Sequence, residues 1–302
     1  MRSAQRWLAA AKENPLAVSI YSALGALSEG DGSLEPFIRK EILDRAHRMQ
    51  HLILEVDHPL LNLIANTIPP TSWTMLEKVT LKRIGEFSEE HHPGLKPVYQ
   101  FSIWDAPQLR RIEWHSVKAS LIDIDTRWSK FEELRLERES HYGDGEYDDY
   151  SASEAHAMAR DSPNMKNLKV SLNADGEELV FPALVNNLFI SWDTPLVLKH
   201  LTTLELADVY IDPVFNPVAF LQGLQLPALE TLSYKLTARR PSDDSTLPLP
   251  SIPRGHAFPL FTFLRAQQHP ILLKSFCVPT ASSMSQNDFV ECLKLMLLLE
   301  CG

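Results

Sequence analysis

LPALETLSY (226–234), APQLRRIEW (106–114) and SPNMKNLKV (162–170) repeat one phrase: a proline, then an apolar residue, two variable positions, an apolar residue, one variable position and a third apolar residue. The last two apolar positions alternate with polar ones and so share one face of a strand, while the leading apolar residue closes the turn before it. Nine copies of the apolar core begin at Met49 (MQHLIL), Leu76 (LEKVTL), Leu109 (LRRIEW), Phe131 (FEELRL), Met165 (MKNLKV), Val185 (VNNLFI), Leu201 (LTTLEL), Leu229 (LETLSY) and Leu273 (LKSFCV). Roughly a dozen matches arise by chance in a chain this long if about one residue in three is apolar. The prolines separate signal from chance. Pro107, Pro163, Pro182 and Pro227 stand just ahead of the leading residue, and Pro270 nearly does. A proline there fixes φ for the turn that ends one segment and starts the next strand.

Successive copies start 27, 33, 22, 34, 20, 16, 28 and 44 residues apart. A strand recurring at such intervals is the mark of leucine-rich repeats, whose regular forms run about 20–29 residues. Helical periodicity fills several gaps. PFIRKEILDRAHRM (36–49) sets Ile38, Ile42, Leu43 and Ala46 on one face, and residues 153–164, 212–224, 258–270 and 285–300 read as further helices. The expected fold class is therefore α/β, an irregular leucine-rich-repeat solenoid or horseshoe. The asparagine expected after each strand is mostly missing: Asn173 fills it once, whereas Val117 and Val209 stand there in two other copies. Two polar stretches, RESHYGDGEYDDYSASE (138–154) and RRPSDDSTLPLPSIPRGHA (239–257), cannot bury a core and read as loop insertions.

Composition narrows the function. The chain has 302 residues, and 29 Lys+Arg against 39 Asp+Glu give a net charge of −10. That balance argues against nucleic acid or an anionic membrane as main partner. Eleven glycines are few, and neither GxGxxG nor GxxxxGK[ST] occurs, so no nucleotide cofactor is expected. Three cysteines, Cys277, Cys292 and Cys301, form no even framework and no metal spacing. Reduced, intracellular surroundings, cytoplasmic or nuclear, are the simplest inference. Cys277, within SFCVP, reads as a small core residue.

The candidate chemistry is sparse. His47 and His51 stand four apart, a zinc-pair spacing on a helix, but Arg48 replaces the neighbouring glutamate of HExxH, so a solvated helix face is the expectation. Glu89-Glu90-His91-His92 reads as a turn tip before Pro93-Gly94. Asp123 and Asp125 form IDID, more simply a strand with one wet face than a metal-binding DxD. Cys292 lies on an apolar helix face, which keeps a thiol inert. No catalytic, cofactor-binding or metal-binding set is expected, and the chain reads as a non-enzyme. In the acidic run, Tyr147, Asp148, Asp149 and Tyr150 could dock a basic partner, tyrosines supplying contact area.

The segment RWLAAAKENPLAVSIYSALG (6–25) resembles the C-terminal part of an F-box, with Arg6, Trp7, Ala10, Pro15, Leu16 and Ile20 matching that pattern. RAHRMQHLIL (45–54) resembles the helix that follows. Together with APQLRRIEW, LPALETLSY, FLRAQQHP and FVECLKLM, the order of motifs resembles the mushroom-type fungal F-box proteins with irregular leucine-rich repeats. Ala17-Val18 stands where the family carries tryptophan, and the box reads as truncated at its N-terminus. The resemblance implies residues 1–30 as a helical F-box remnant or cap and 31–302 as the solenoid. It further implies substrate recognition for an SCF-type ubiquitin ligase, with Trp7, Leu8, Pro15, Leu16 and Ile20 contacting a Skp-type adaptor. The alternative is an interaction module without adaptor binding, those residues packing onto the first repeat.

Overall fold

The computed structural model describes residues Ala11, 13–21, Pro36, 38–82, Gly94, 96–115, Val117, 128–137, 152–172, 195–207, 218–221, 223–234, 259–267, 271–277 and 286–297. The chain divides into two compact units, Met1–Glu139 and Ser140–Gly302.

The first unit is built on five parallel strands in chain order: β1 (Leu16–Tyr21), β2 (Met49–Glu55), β3 (Lys78–Lys82), β4 (Arg111–His115) and β5 (Glu133–Glu137). The last four are the first four copies of the phrase. Each strand from β3 onward begins two residues after the leading apolar residue. The pairing keeps the phrase in register: Leu52, Val79, Ile112 and Leu134 lie side by side, and so do Leu54, Leu81, Trp114 and Leu136. All eight are buried, as are the leading Met49, Leu76, Leu109 and Phe131. Backing them are α1 (His58–Thr67) and a series of short 3-10 turns. Helix α1 starts where Asp57 Oδ1 accepts from the Leu60 amide at 3.2 Å, and Pro59 occupies its first turn. It buries Leu60, Leu61 and Ile64. Trp104, in a 3-10 turn, packs 6.0 Å from the Trp114 ring and donates its Nε1 hydrogen to Val98 O at 2.7 Å.

A hydrogen-bonded turn precedes the strands. The amides of Leu76, Leu109 and Phe131 each donate to the carbonyl three residues back, on Trp73, Ala106 and Trp128. Pro107 is the second residue of its turn, the position a fixed φ near −65° suits.

Strand β1 departs from expectation. Residues 16–21 were expected within a helical remnant, yet LAVSIY is a strand that buries Leu16, Val18 and Ile20 and exposes Ala17, Ser19 and Tyr21. Period-two burial and β-branched Val18 and Ile20 suit the edge of β2. Leu16 pairs with Met49, Val18 with Leu52 and Ile20 with Leu54, after a register shift between Leu16 and Ala17. The buried guanidinium of Arg48 fixes the entry by donating to Ala11 O at 3.1 Å and Asn14 O at 2.9 Å. Residues 38–48, expected as a regular helix, form a π-helical turn (Ile38–Ile42) and a 3-10 turn (Leu43–Arg48), and they bury the expected Ile38, Ile42, Leu43 and Ala46. The segment likened to a helix at 45–54 ends in strand β2.

The second unit holds four parallel strands: β6 (Asn167–Ser171), β8 (Thr203–Ala207), β10 (Thr231–Tyr234) and β11 (Ser275–Cys277). Leu168, Leu204, Leu232 and Phe276 align across them. Strands β7 (Leu196–Val197) and β9 (Leu224–Gln225) form a separate small parallel pair. Among the described residues the helices are α2 (Ala152–Asp161), α3 (Val218–Leu221), α4 (Pro259–Ala266) and α5 (Gln286–Leu297). The same turn recurs, Met165 donating to Ser162 O and Leu229 to Leu226 O, with Pro163 and Pro227 in second place. Strand β6 pairs directly with β8, and the copy at Val185 (residues 185–190) lies outside the described residues. Cys277 was expected in the core and is exposed instead, because it takes the outward position of the last strand. Cys292 is buried on α5. Among the described residues no helix is long and apolar enough to cross a membrane.

Candidate interaction face

Once the apolar positions face the core, the variable positions of the phrase must share the opposite face. In the first unit the register sets them in rows. His51, Lys78, Arg111 and Glu133 form one row, Ile53, Thr80, Glu113 and Arg135 the next, and Lys82, His115 and Glu137 a third. Opposite charges meet between β4 and β5, Arg111 beside Glu133 and Glu113 beside Arg135, a stabilising arrangement, whereas Lys78 and Arg111 lie side by side between β3 and β4.

Glu113 is the centre. Its Oε1 lies 2.8 Å from Lys78 Nζ, and its Oε2 accepts from the Thr80 hydroxyl at 3.0 Å. His115 Nε2 lies 3.9 Å from the same oxygen, an ion-pair distance rather than a hydrogen bond. His115 makes its short contact with the next strand, Nδ1 to Glu137 Oε2 at 3.0 Å. Arg135 closes the chain at 3.0 Å from Glu137, and Arg111 lies 3.6 Å from Glu133. The imidazole of His115 holds the Glu113 carboxyl down to about 2, helped by Lys78 and Thr80 and opposed by burial. In return Glu113, then Glu137, raise the His115 imidazole above its ordinary value, against burial. The second unit's face is less charged. Asn167, Ser171, Thr203, Thr231 and Ser233 accompany one pair, Lys169 Nζ to Glu205 Oε2 at 3.5 Å.

No protein-family model, curated protein or solved structure matches this chain. The reading of function therefore rests on the residues themselves.

Of the expected adaptor contacts, Pro15, Leu16 and Ile20 fall among the described residues. Leu16 and Ile20 are buried in β1, where as inward residues of a strand they pack against β2. Pro15 is exposed just ahead of them. Trp7 and Leu8 lie outside the described residues, as do Tyr147, Asp148, Asp149 and Tyr150, Glu89 to His92, and Asp123 and Asp125. His47 and His51 share no helix, since His47 lies in the 3-10 turn and His51 on β2, which removes the four-residue helical spacing. Among the described residues no group of three His, Cys, Asp or Glu could hold a metal ion. The ladder around Glu113 was not singled out in the sequence, although a signal existed. Aligning KVTLK, RIEWH and ELRLE by their apolar positions sets Lys78 and Arg111 in line with Glu133, and His115 in line with Glu137.

Proposed function

We propose that this chain is a protein-interaction scaffold, an α/β leucine-rich-repeat-type solenoid whose open sheet face receives a client polypeptide. The observation that carries the reading is the ladder of charged side chains on β3, β4 and β5, pre-ordered by its own ion pairs. Groups already held in place lose less freedom when a partner lands on them, which favours binding. The F-box resemblance of residues 6–25 makes substrate recognition for an SCF-type ubiquitin ligase the specific role, with a Skp-type adaptor as the second partner. No catalytic group is assigned.

The test is co-elution of the purified chain with a purified Skp-type adaptor. A stable complex supports the receptor role, and its loss in Trp7→Ala would place the contact in the remnant. A second reading, a scaffold that never meets an adaptor, is favoured by the burial of Leu16 and Ile20 in β1. It is the expected conclusion if no complex forms. Turnover in a substrate screen, abolished by one substitution on the face, would replace both with an enzyme.

A further inference from the structure

We propose that the β3–β5 face of the first unit docks an acidic segment of a partner polypeptide, with Arg111, Arg135 and Lys78 receiving its carboxylates. This rests on the scaffold reading and names the partner's chemistry. Charge complementarity carries it. In each of the three ion pairs the cation is the more exposed member: Arg111 48% against Glu133 30%, Arg135 39% against Glu137 20%, Lys78 26% against Glu113 12%. The carboxylates of Glu113 and Glu137 lie lowest and are occupied. Glu113 spends one oxygen on Lys78 and the other on Thr80, and Glu137 is bracketed by His115 and Arg135. An approaching partner meets the guanidinium groups of Arg111 and Arg135 first, since these are the most exposed members of the three pairs. A guanidinium has five N–H donors in a planar fork that matches a carboxylate. Arg111 is 3.6 Å from Glu133, beyond hydrogen-bond length, so that contact leaves its donors available to a ligand.

In the Lys169–Glu205 pair on the second unit's strands the order is reversed, Glu205 being the more exposed. The net charge of −10 repels an acidic partner at long range. Physiological salt screens exposed charges beyond about 8 Å, so the local patch decides.

The experiment is fluorescence anisotropy of a labelled ten-residue peptide of alternating Glu and Ala, titrated with the full chain at physiological salt. A Lys/Ala peptide of the same length is the comparison. The acidic peptide is expected to bind and the basic one not. Arg111→Ala combined with Arg135→Ala should weaken binding roughly tenfold or more, as loss of charge-assisted pairs does. Lys169→Ala in the second unit should leave it unchanged. If the double variant does not fold by circular dichroism, Arg111→Gln alone, at a half-exposed site, should still weaken binding several-fold. Preference for the basic peptide, or equal binding by a folded variant, overturns the proposal. If neither peptide binds while the chain co-elutes with the adaptor, acidic docking falls and the scaffold reading stands. If neither peptide nor adaptor binds, acidic docking and the ligase-receptor role both fall.

Discussion

Glu113 stays ionised in a largely buried place because three groups on two strands favour its anion more than burial disfavours it. Its folded pKa, about 2, lies below its ordinary 4.5, so its contribution is complete above 4.5 and is lost as pH falls toward 2. That contribution is on the order of 2–3 kcal/mol at neutral pH. Glu113→Gln should lower stability by about that amount in urea unfolding at neutral pH and by little near pH 2. An equal loss at both would mean that packing, not charge, is at stake. His115 runs the other way. It faces Glu113 on its own strand, Lys82 on β3, and Glu137 and Arg135 on β5. Its pKa is raised above 6.5, so its contribution is full below 6.5 and is lost as pH rises through the raised value. Wild type should therefore lose melting temperature as pH rises above 6.5, and His115→Gln should lose less. Parallel curves would show that the imidazole is not linked to folding. In the second unit, burial and then Arg160 push His156 of α2 down to about 4. Stability there is present above the ordinary 6.5 and lost as pH falls toward 4. Hydrogen exchange should show α2 losing protection between those values, and His156→Leu should remove that loss. Unchanged exchange in wild type would contradict the assignment.

The repeating element is a turn followed by a strand. Pro107, Pro163 and Pro227 are all exposed, so their effect comes from restricting the unfolded chain rather than from packing. Pro227→Ala should cost roughly 0.4–1 kcal/mol with no change in the urea slope; a loss of several kcal/mol would mean that the turn itself collapses. Leu204 is the inward residue at the middle of β8, aligned with Leu168 and Leu232 and fully buried. Leu204→Ala should cost about 2–5 kcal/mol. Leu204→Asp should remove cooperative melting, because a buried unpaired charge costs several kcal/mol more. A soluble Leu204→Asp protein with a sharp melt would show that this position does not face the core.

For the molecule as a whole, the phrase made eight of its nine copies legible as strands, and their register followed from the same apolar positions. A strand outside these eight, β1, was missed because LAVSIY is one residue short of the phrase. The structure absorbs the difference as a register shift after Leu16. The candidate face was legible only in part, since the strand residues were known but their cross-strand neighbours were not. Thr80 and Glu113 are 33 residues apart in the chain and 3.0 Å apart in space. A partner held by this face should show the steep salt dependence of charge-assisted contacts, weakening markedly as ionic strength rises. Indifference to salt would point to an apolar contact elsewhere.

The sequence by itself determined where most strands begin, which side chains turn inward and where the turns fall. Those features depend on period-two alternation and on the fixed φ of proline, both local properties of a few consecutive residues. Only the tertiary structure decided that residues 16–21 form a strand rather than part of a helix, that Cys277 faces outward, and that Glu113 sits between Lys78 and His115. Each of these depends on which segment supplies the neighbouring edge or charge. That neighbour lies tens of residues away in most cases and is fixed only when the strands pair.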